Sequence, residues 1–495
     1  MKFLKYMPAL LLAAVSMTSC TESVMDEINK DDHNPPVNAV DPKFQITDAI
    51  TATAYTGWGS NYAWYVASFT EQIFGTGNNQ LMKAELRLRT ETAASTTYNN
   101  EWNGLYANLM NIHQIIDKIE NNAQFQGKDD ILGMAQTLWV LNFELLTDMH
   151  GDIPYSQALQ GSDNLQPGLD KQEDIYKDLM ARIDKAIALL KSADEAGMDN
   201  AGVQDLLFGG DCSKWLGLAY AEKARLLLNT SFRDPSAMVQ ALAAANEAVA
   251  LGFEGAELSI FNGVDCDNSW TAYQWSRYYS GACATVVDYM TERNDPRLDV
   301  YAVDMFGTGV AYAPAGDEEF AKMTETVGFP AWLDNGAATL HIFSKSELYF
   351  IIAEAQATAG QDASAAFKTA IEASFGDYAD ASGEEFDAAD VDDYIAALGA
   401  PTLEEVMIQK YIAQARDEQL QTYNDIRRYM AKGNEIITLK NPNNHANGQN
   451  QWPLRLPYGN SDVISNPNVA AAFGTGNDAG NYLFTEHIWL FGGSK

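Results

Sequence analysis

"WLGLAYAEKARLLLN" (Trp215–Asn229) and "AMVQALAAANEAVALGF" (Ala237–Phe253) decide the fold. Neither stretch contains proline, and both are dense in alanine and leucine, the residues that lose least on entering a helix. The connection between them is short and polar, so the two helices must lie side by side. The arrangement returns as "ELYFIIAEAQATAG" (Glu347–Gly360) followed by "ASAAFKTAIEASF" (Ala363–Phe375). There Gly360 sits at the turn, and Ala365 and Ala370 fall where helices approach closely.

Trp215, Gly217 and Tyr220 approximate the first helix of a tetratricopeptide unit, and the alanine-rich stretch supplies the second. Such pairs bury their apolar faces by stacking on one another. The interval between the two pairs is irregular, so long insertions interrupt the array. Outside the pairs, "EWNGLYANLMNIHQIIDKI" places Trp102, Leu105, Tyr106, Leu109, Ile112, Ile116 and Ile119 on one helical face. Ile175, Leu179, Ile183, Ile187 and Leu190 do the same behind Asp170, which is expected to cap that helix. Ser344 with Glu347, and Thr402 with Glu405, have the spacing of capping boxes. Residues 255–335 and 437 onward are rich in Gly, Asn, Pro, Tyr and Trp without sustained helical period, and read as loops with short strands. The expectation is a mainly α protein of tetratricopeptide-like helix pairs with long irregular loops and a few short strands.

The first residues address the chain for export. Lys2 and Lys5 precede an apolar run from Tyr6 to Val15, then small and polar residues, then Cys20. The run is too short to span a bilayer. Cys20 directly after the small residues reads as the acylated first residue of a lipoprotein, so 1–19 is a signal peptide, 20–42 a tether and 43–495 a single domain. A net charge of −35 and pI near 4.3 disfavour nucleic acid and anionic membrane surfaces as partners. Cys212, Cys266 and Cys283 have no metal-binding spacing, and a Cys266–Cys283 bridge stays open.

Several stretches imitate chemistry. In "LLTDMHGDIPYSQAL" Asp148, His150 and Asp152 lie close together, but two-residue spacing sends side chains to different sides of a helix. Gly151 suits the left-handed residue after a helix end, His150 the negative end of the dipole, and Pro154 stops the helix. Glu347 and Glu354 are separated by about 10 Å along one helix, too far for a glycosidase pair. Glu347 is the box partner of Ser344, and Glu354 a packed or paired helix residue. The acidic run from Gly376 to Tyr394 lacks the ligand alternation of a calcium loop and reads as a solvated insertion. The sequence shows no GxSxG, HExxH or P-loop. No catalytic residue, metal site or cofactor is expected.

Two aromatic clusters remain. Tyr55, Trp58, Tyr62, Trp64 and Tyr65 crowd one stretch, although Trp58, Tyr62 and Tyr65 share a helical face that also suits a core. The second, "NSWTAYQWSRYYSG", sets Trp270, Tyr273, Trp275, Tyr278 and Tyr279 among Asn268 and Arg277. Flat rings beside amide and guanidinium groups suit a sugar, whose C–H face stacks while its hydroxyls exchange hydrogen bonds. Trp58, Tyr62, Trp64, Asn268, Trp270, Tyr273, Trp275, Arg277 and Tyr278 are therefore the expected ligand-contacting residues.

Taken together, Cys20, "LLTDMHGDIPYSQAL", "WLGLAYAEKARLLLN", "NDPRLDVY" (Asn294–Tyr301), "SELYFIIAEAQATAG", "IQKYIAQARDEQLQTYNDIRRYM" (Ile408–Met430) and "WPLRLPYGNSDVISNPNV" (Trp452–Val469) resemble the SusD/RagB-type nutrient-binding outer-membrane lipoproteins of Bacteroidetes. They run in that family's order over nearly the whole chain. The resemblance implies a helical fold with loops shaping a ligand surface, and lipid anchoring at the outer membrane facing outward. It also implies a TonB-dependent transporter of the SusC type as partner. Members bind oligosaccharides, in some cases peptides, and are not hydrolases. A peptide binder, a transporter-docking protein without its own ligand, and a helical-array glycosidase or lyase are the rival expectations.

Overall fold

The computed structural model describes residues 39–494 apart from 305, 325–327 and 447. The export signal, Cys20 and nearly all of the tether lie outside the described residues. Helices of nine residues or more are numbered in chain order. Helix α1 (Pro42–Ala52) runs through a π-helical turn (Thr53–Trp58) towards α2 (Asn61–Phe69). The array then follows as α3 (Asn99–Asn121), α4 (Asp129–His150), α5 (Gln172–Glu195), α6 (Cys212–Thr230) and α7 (Ala237–Ala250), each packed on the one before.

At Leu251 the chain leaves the array, forms α8 (Ser269–Arg277) and α9 (Ala284–Arg293), and returns with α10 (Lys345–Thr358). Helix α10 lies directly against α7, and α11 (Ser364–Ser382) against α10. The two hairpins legible in the sequence are thus neighbours, with the insertion looped out between them. Helices α12 (Ala388–Leu398), α13 (Leu403–Gln414) and α14 (Gln419–Ala431) complete the frame, α13 packing on α10 and α14 on α2.

Burial explains the layering. On α3 the apolar stripe faces inward as its spacing predicts, with Tyr106 only partly covered. Helix α4 is buried from Asp130 to His150, making it the central rod. A Cβ at Gly133 would come within 2.6 Å of Leu190, so this glycine sets how closely α4 and α5 pack. Among the described residues the strands form two-stranded ladders only. Phe74–Gly75 (β1) pairs antiparallel with Ser280–Gly281 (β3), and Gly255–Leu258 (β2) with Leu340–Ser344 (β6). Short β4 (Val303–Asp304) and β5 (Gly328–Phe329) pair likewise, as do β7 (His445–Ala446) and β8 (Gln449–Asn450).

The charges in the recognisable stretches are internal ties. Arg225 on α6 reaches Glu347 on α10 at 2.6 Å and Glu222 at 2.9 Å. Glu354 holds Arg428 at 2.6 Å and Lys410 at 3.2 Å. Arg297 binds Asp295 at 2.6 Å and the Gln409 side chain at 2.7 Å. All eight of the named charged side chains are buried, so removing one partner strands a charge, at a cost of about 3–5 kcal/mol.

Several local expectations need correction. The chain before α5 begins that helix at Gln172, and the cap is borrowed: Asp152 accepts the Gln172 N–H at 3.0 Å. Asp170 instead accepts from the Tyr155 and Ser156 backbone. Gly151 has φ 84° and ψ −125°, a positive-φ region outside the left-handed helix. His150 does not meet the dipole as a cation. Burial pushes its pKa down to about 3, and its ring bridges the Tyr62 hydroxyl (2.7 Å) and the Leu456 carbonyl (3.1 Å). Ser344 does accept the Glu347 N–H (2.9 Å), yet Glu418 completes that box by accepting from Ser344 N–H, freeing Glu347 for Arg225. The acidic run is solvated as expected, with Asp380, Glu384, Glu385, Asp387, Asp390, Asp392 and Asp393 exposed, and it is mostly helical, with Tyr378, Val391 and Tyr394 turned inward. Cys212, Cys266 and Cys283 are free thiols, which closes the question of a 266–283 bridge.

Candidate functional site

The segment read as an irregular loop contains a helix, and that helix organises the site. Asn268 accepts the Trp270 N–H at 2.8 Å as the cap of α8, and donates to the carbonyls of Ala338 (2.9 Å) and Thr339 (3.1 Å). Trp270 is 1% exposed and lies edge-on to Trp64 of α2. Trp64 stacks on Tyr273 with centroids 3.7 Å apart and planes at 15°, and Tyr273 stacks on Tyr279 at 4.4 Å and 10°. This three-ring pile fastens α8 to α2. Tyr278 then ends α8 in the left-handed region (φ 56°), a strained place for a tyrosine. Thr76 donates its N–H to the Tyr279 carbonyl at 2.9 Å, prolonging the β1–β3 ladder and tying the crossing loop at Gly77 to the helix end.

Beside the pile opens a cavity of about 370 Å³, within the range of ordinary small-ligand sites. Tyr65, Tyr273 and Tyr279 line one side. Asn61, Gln80 and Asn100 bring amides to it, and Thr90, Thr96 and Thr97 bring hydroxyls. Glu91 is the charged side chain of the lining; its Oε1 accepts from the Tyr65 hydroxyl at 2.7 Å. Behind Asn61 lies Glu101, whose Oε1 accepts the Asn61 amide at 2.8 Å while its Oε2 has no hydrogen-bond partner. Burial pushes the Glu101 carboxyl up, against the pull of the Asn61 amide. Burial likewise raises the Tyr273 hydroxyl well above its usual value, with Tyr279 and Glu91 adding to it. At the end of α8, outside the cavity lining, Trp275 is 48% and Tyr278 38% exposed, their rings 5.4 Å apart and steeply inclined.

The structure sorts the expected contacts. Trp58, Tyr62, Trp270 and Asn268 are buried in the frame and present no surface to a ligand. Trp64 is half-buried, with one face on Tyr273. Tyr273 lines the cavity, and Trp275, Arg277 and Tyr278 are exposed at the end of α8. The sequence reading missed Asn61, Glu91, Asn100 and the three threonines. For all but Asn61 the signal was there as "TETAASTTYNN" (Thr90–Asn100), a hydroxyl- and amide-rich run that leads into α3.

Two of the other hollows suit a ligand less well. A groove of about 370 Å³ among His113, Trp139, Asp178, Arg182 and Lys185 has its charges already paired, and Arg182 covers the Trp139 ring at 4.3 Å. A closed cavity of about 20 Å³ beside Lys410 has room for no more than a water. Among the described residues no group of His, Cys, Asp and Glu is arranged to hold a metal. No helix among them is long and apolar enough to cross a membrane.

A stacked helical array thus carries an aromatic- and amide-lined hollow of small-ligand size. The chain belongs to the SusD-like family, whose model, described as "Starch-binding associating with outer membrane", matches residues 34–459. A SusD/RagB family protein from Bacteroides thetaiotaomicron is 31% identical, with 92% of this chain and all of that one covered and a TM-score of 0.81. A protein described as chitin-binding is 22% identical over 91% of this chain and 99% of its own, with a TM-score of 0.72. A chitin-binding SusD homologue from Flavobacterium johnsoniae is 19% identical over 92% and 96%, with a TM-score of 0.63. These last two share the fold. No curated protein matches the chain.

Proposed function

We propose that this protein captures an oligosaccharide at the cavity between α2, the Thr90–Asn100 run and the end of α8, and delivers it to a TonB-dependent transporter of the SusC type. It does so as a lipoprotein anchored through Cys20 at the outer membrane, without catalysing a reaction. The observation that carries the reading is the lining: a hollow of sugar size with amides, hydroxyls and tyrosines, on the same helix α8 that exposes the Trp275 and Tyr278 rings at its end. Tyr273 has both ring faces covered, by Trp64 and Tyr279, so it offers a ligand its edge and hydroxyl, and the exposed rings of Trp275 and Tyr278 are the ones free to stack. Chitin binding by two proteins of the same fold adds N-acetylated oligosaccharides to the ligands worth testing first.

Calorimetric titration of the chain beginning after Cys20 against a panel of neutral oligosaccharides tests the reading. Saturable binding by at least one supports it. Silence across the panel with binding of peptides would favour a peptide ligand instead, and new reducing ends after incubation would reveal a hydrolase. Delivery is tested separately, by co-purification with a transporter encoded beside this gene.

A further inference from the structure

We propose that the cavity admits uncharged sugar units and rejects uronic and sulfated ones, and that Glu91 sets this selectivity. The inference rests on the glycan reading above and adds a chemical class to it. Glu91 is only 7% exposed, yet it lines the cavity. Oε1 is engaged by Tyr65, while no hydrogen bond occupies Oε2, which faces the Lys83 ammonium only across 3.7 Å. Buried Glu101 lies close behind Asn61.

Recognition of a carboxylate or sulfate calls for a guanidinium fork or an ammonium aimed at it. No lysine or arginine is among the residues lining the cavity: the Lys83 ammonium is drawn to Glu91 Oε2 at 3.7 Å, and Arg277, at the exposed end of α8, lies outside the lining. Arg87 is buried and gives its donors to Asn444 and to the carbonyls of Ala84 and Ser68. Arg89 binds Gln451 (2.9 Å) and Asn481 (2.6 Å) and lies over the Phe484 ring. A neutral sugar meets the opposite situation, because its hydroxyls donate to Glu91 and to the Asn61 carbonyl oxygen and accept from the threonines and amides. An anionic unit would bring like charge against a poorly solvated carboxylate, the repulsive element that gives a site its specificity.

The test titrates the chain beginning after Cys20 with neutral oligosaccharides (glucan, mannan, xylan, chitin) and with oligogalacturonate and a heparin fragment, at low and high salt. High salt screens the net charge of −35, so what persists there is local. The expected result is that anionic ligands bind at least about tenfold more weakly than the best neutral one even at high salt. Glu91→Gln, which still accepts from Tyr65, narrows that gap about tenfold, whereas Asp390→Asn on exposed α12 does not. An anionic ligand binding as tightly as the neutral ones, or an unchanged gap in Glu91→Gln of normal melting temperature, overturns the selectivity alone. Absence of binding by every glycan, neutral and anionic, overturns the glycan reading beneath it.

Discussion

Trp270 and Trp275 are five residues apart on one helix and have opposite fates. Trp270 is buried against Trp64, so Trp270→Ala should lower stability by about 3–5 kcal/mol, read as a large fall in melting temperature. Trp275 is half exposed, so Trp275→Ala should leave the melting temperature unchanged and weaken oligosaccharide binding by about 1 kcal/mol, roughly fivefold. Equal melting losses in both variants would contradict the division. At the sequence level the two looked alike, because a tryptophan carries no mark of which side of a helix faces the frame. Glu354 makes a second prediction. Burial works to raise its pKa, but Arg428 and Lys410 outweigh burial and hold the carboxyl at about 2, below its unfolded value of 4.5. Its contribution is fully present above pH 4.5 and is lost as pH falls through 2. Glu354→Gln should therefore melt lower at neutral pH and lose stability less steeply between those two values; an unchanged acid limb would show that the tie contributes nothing.

Helices were easier to read than their ends. The periodicities of α3, α5 and the two hairpins follow from burying one face, a local property that spacing records directly. Their ends depend on groups distant in sequence, which spacing does not record: Asp152 caps α5, Glu418 completes the Ser344 box, and Leu456 meets His150 at the end of α4. The same reason hid α8, whose cap Asn268 is pinned by Ala338 and Thr339. "DMHGDIPY" was rightly read as the place where a helix stops, although its residues act as buried ties and not as dipole partners. Gly151 gives the sharpest check at this scale. Its φ of 84° with ψ −125° is a conformation that a Cβ opposes, so Gly151→Ala should cost about 1–3 kcal/mol. A change within a few tenths of that zero, by chemical denaturation, would show that the turn relaxes without cost.

For the whole molecule, the stretches that identify the family and the residues that line the proposed ligand cavity are different sets. Arg225, Arg297, Arg427 and Arg428 are fully buried and hold helices together, so they read strongly in the sequence. The lining of that cavity comes from segments brought together only by the fold: Asn61 from α2, Glu91 from the next connection, Asn100 from the start of α3, and Tyr273 and Tyr279 from the long excursion. The family and the helical class were therefore legible, while the site was legible only as an aromatic bias. Hydrogen–deuterium exchange with and without a saturating neutral oligosaccharide tests the central claim most directly. Protection should appear at 76–80, 90–100 and 273–279 together. Protection confined to the groove between α3, α4 and α5 around Trp139 and Arg182, with those segments unchanged, would contradict it.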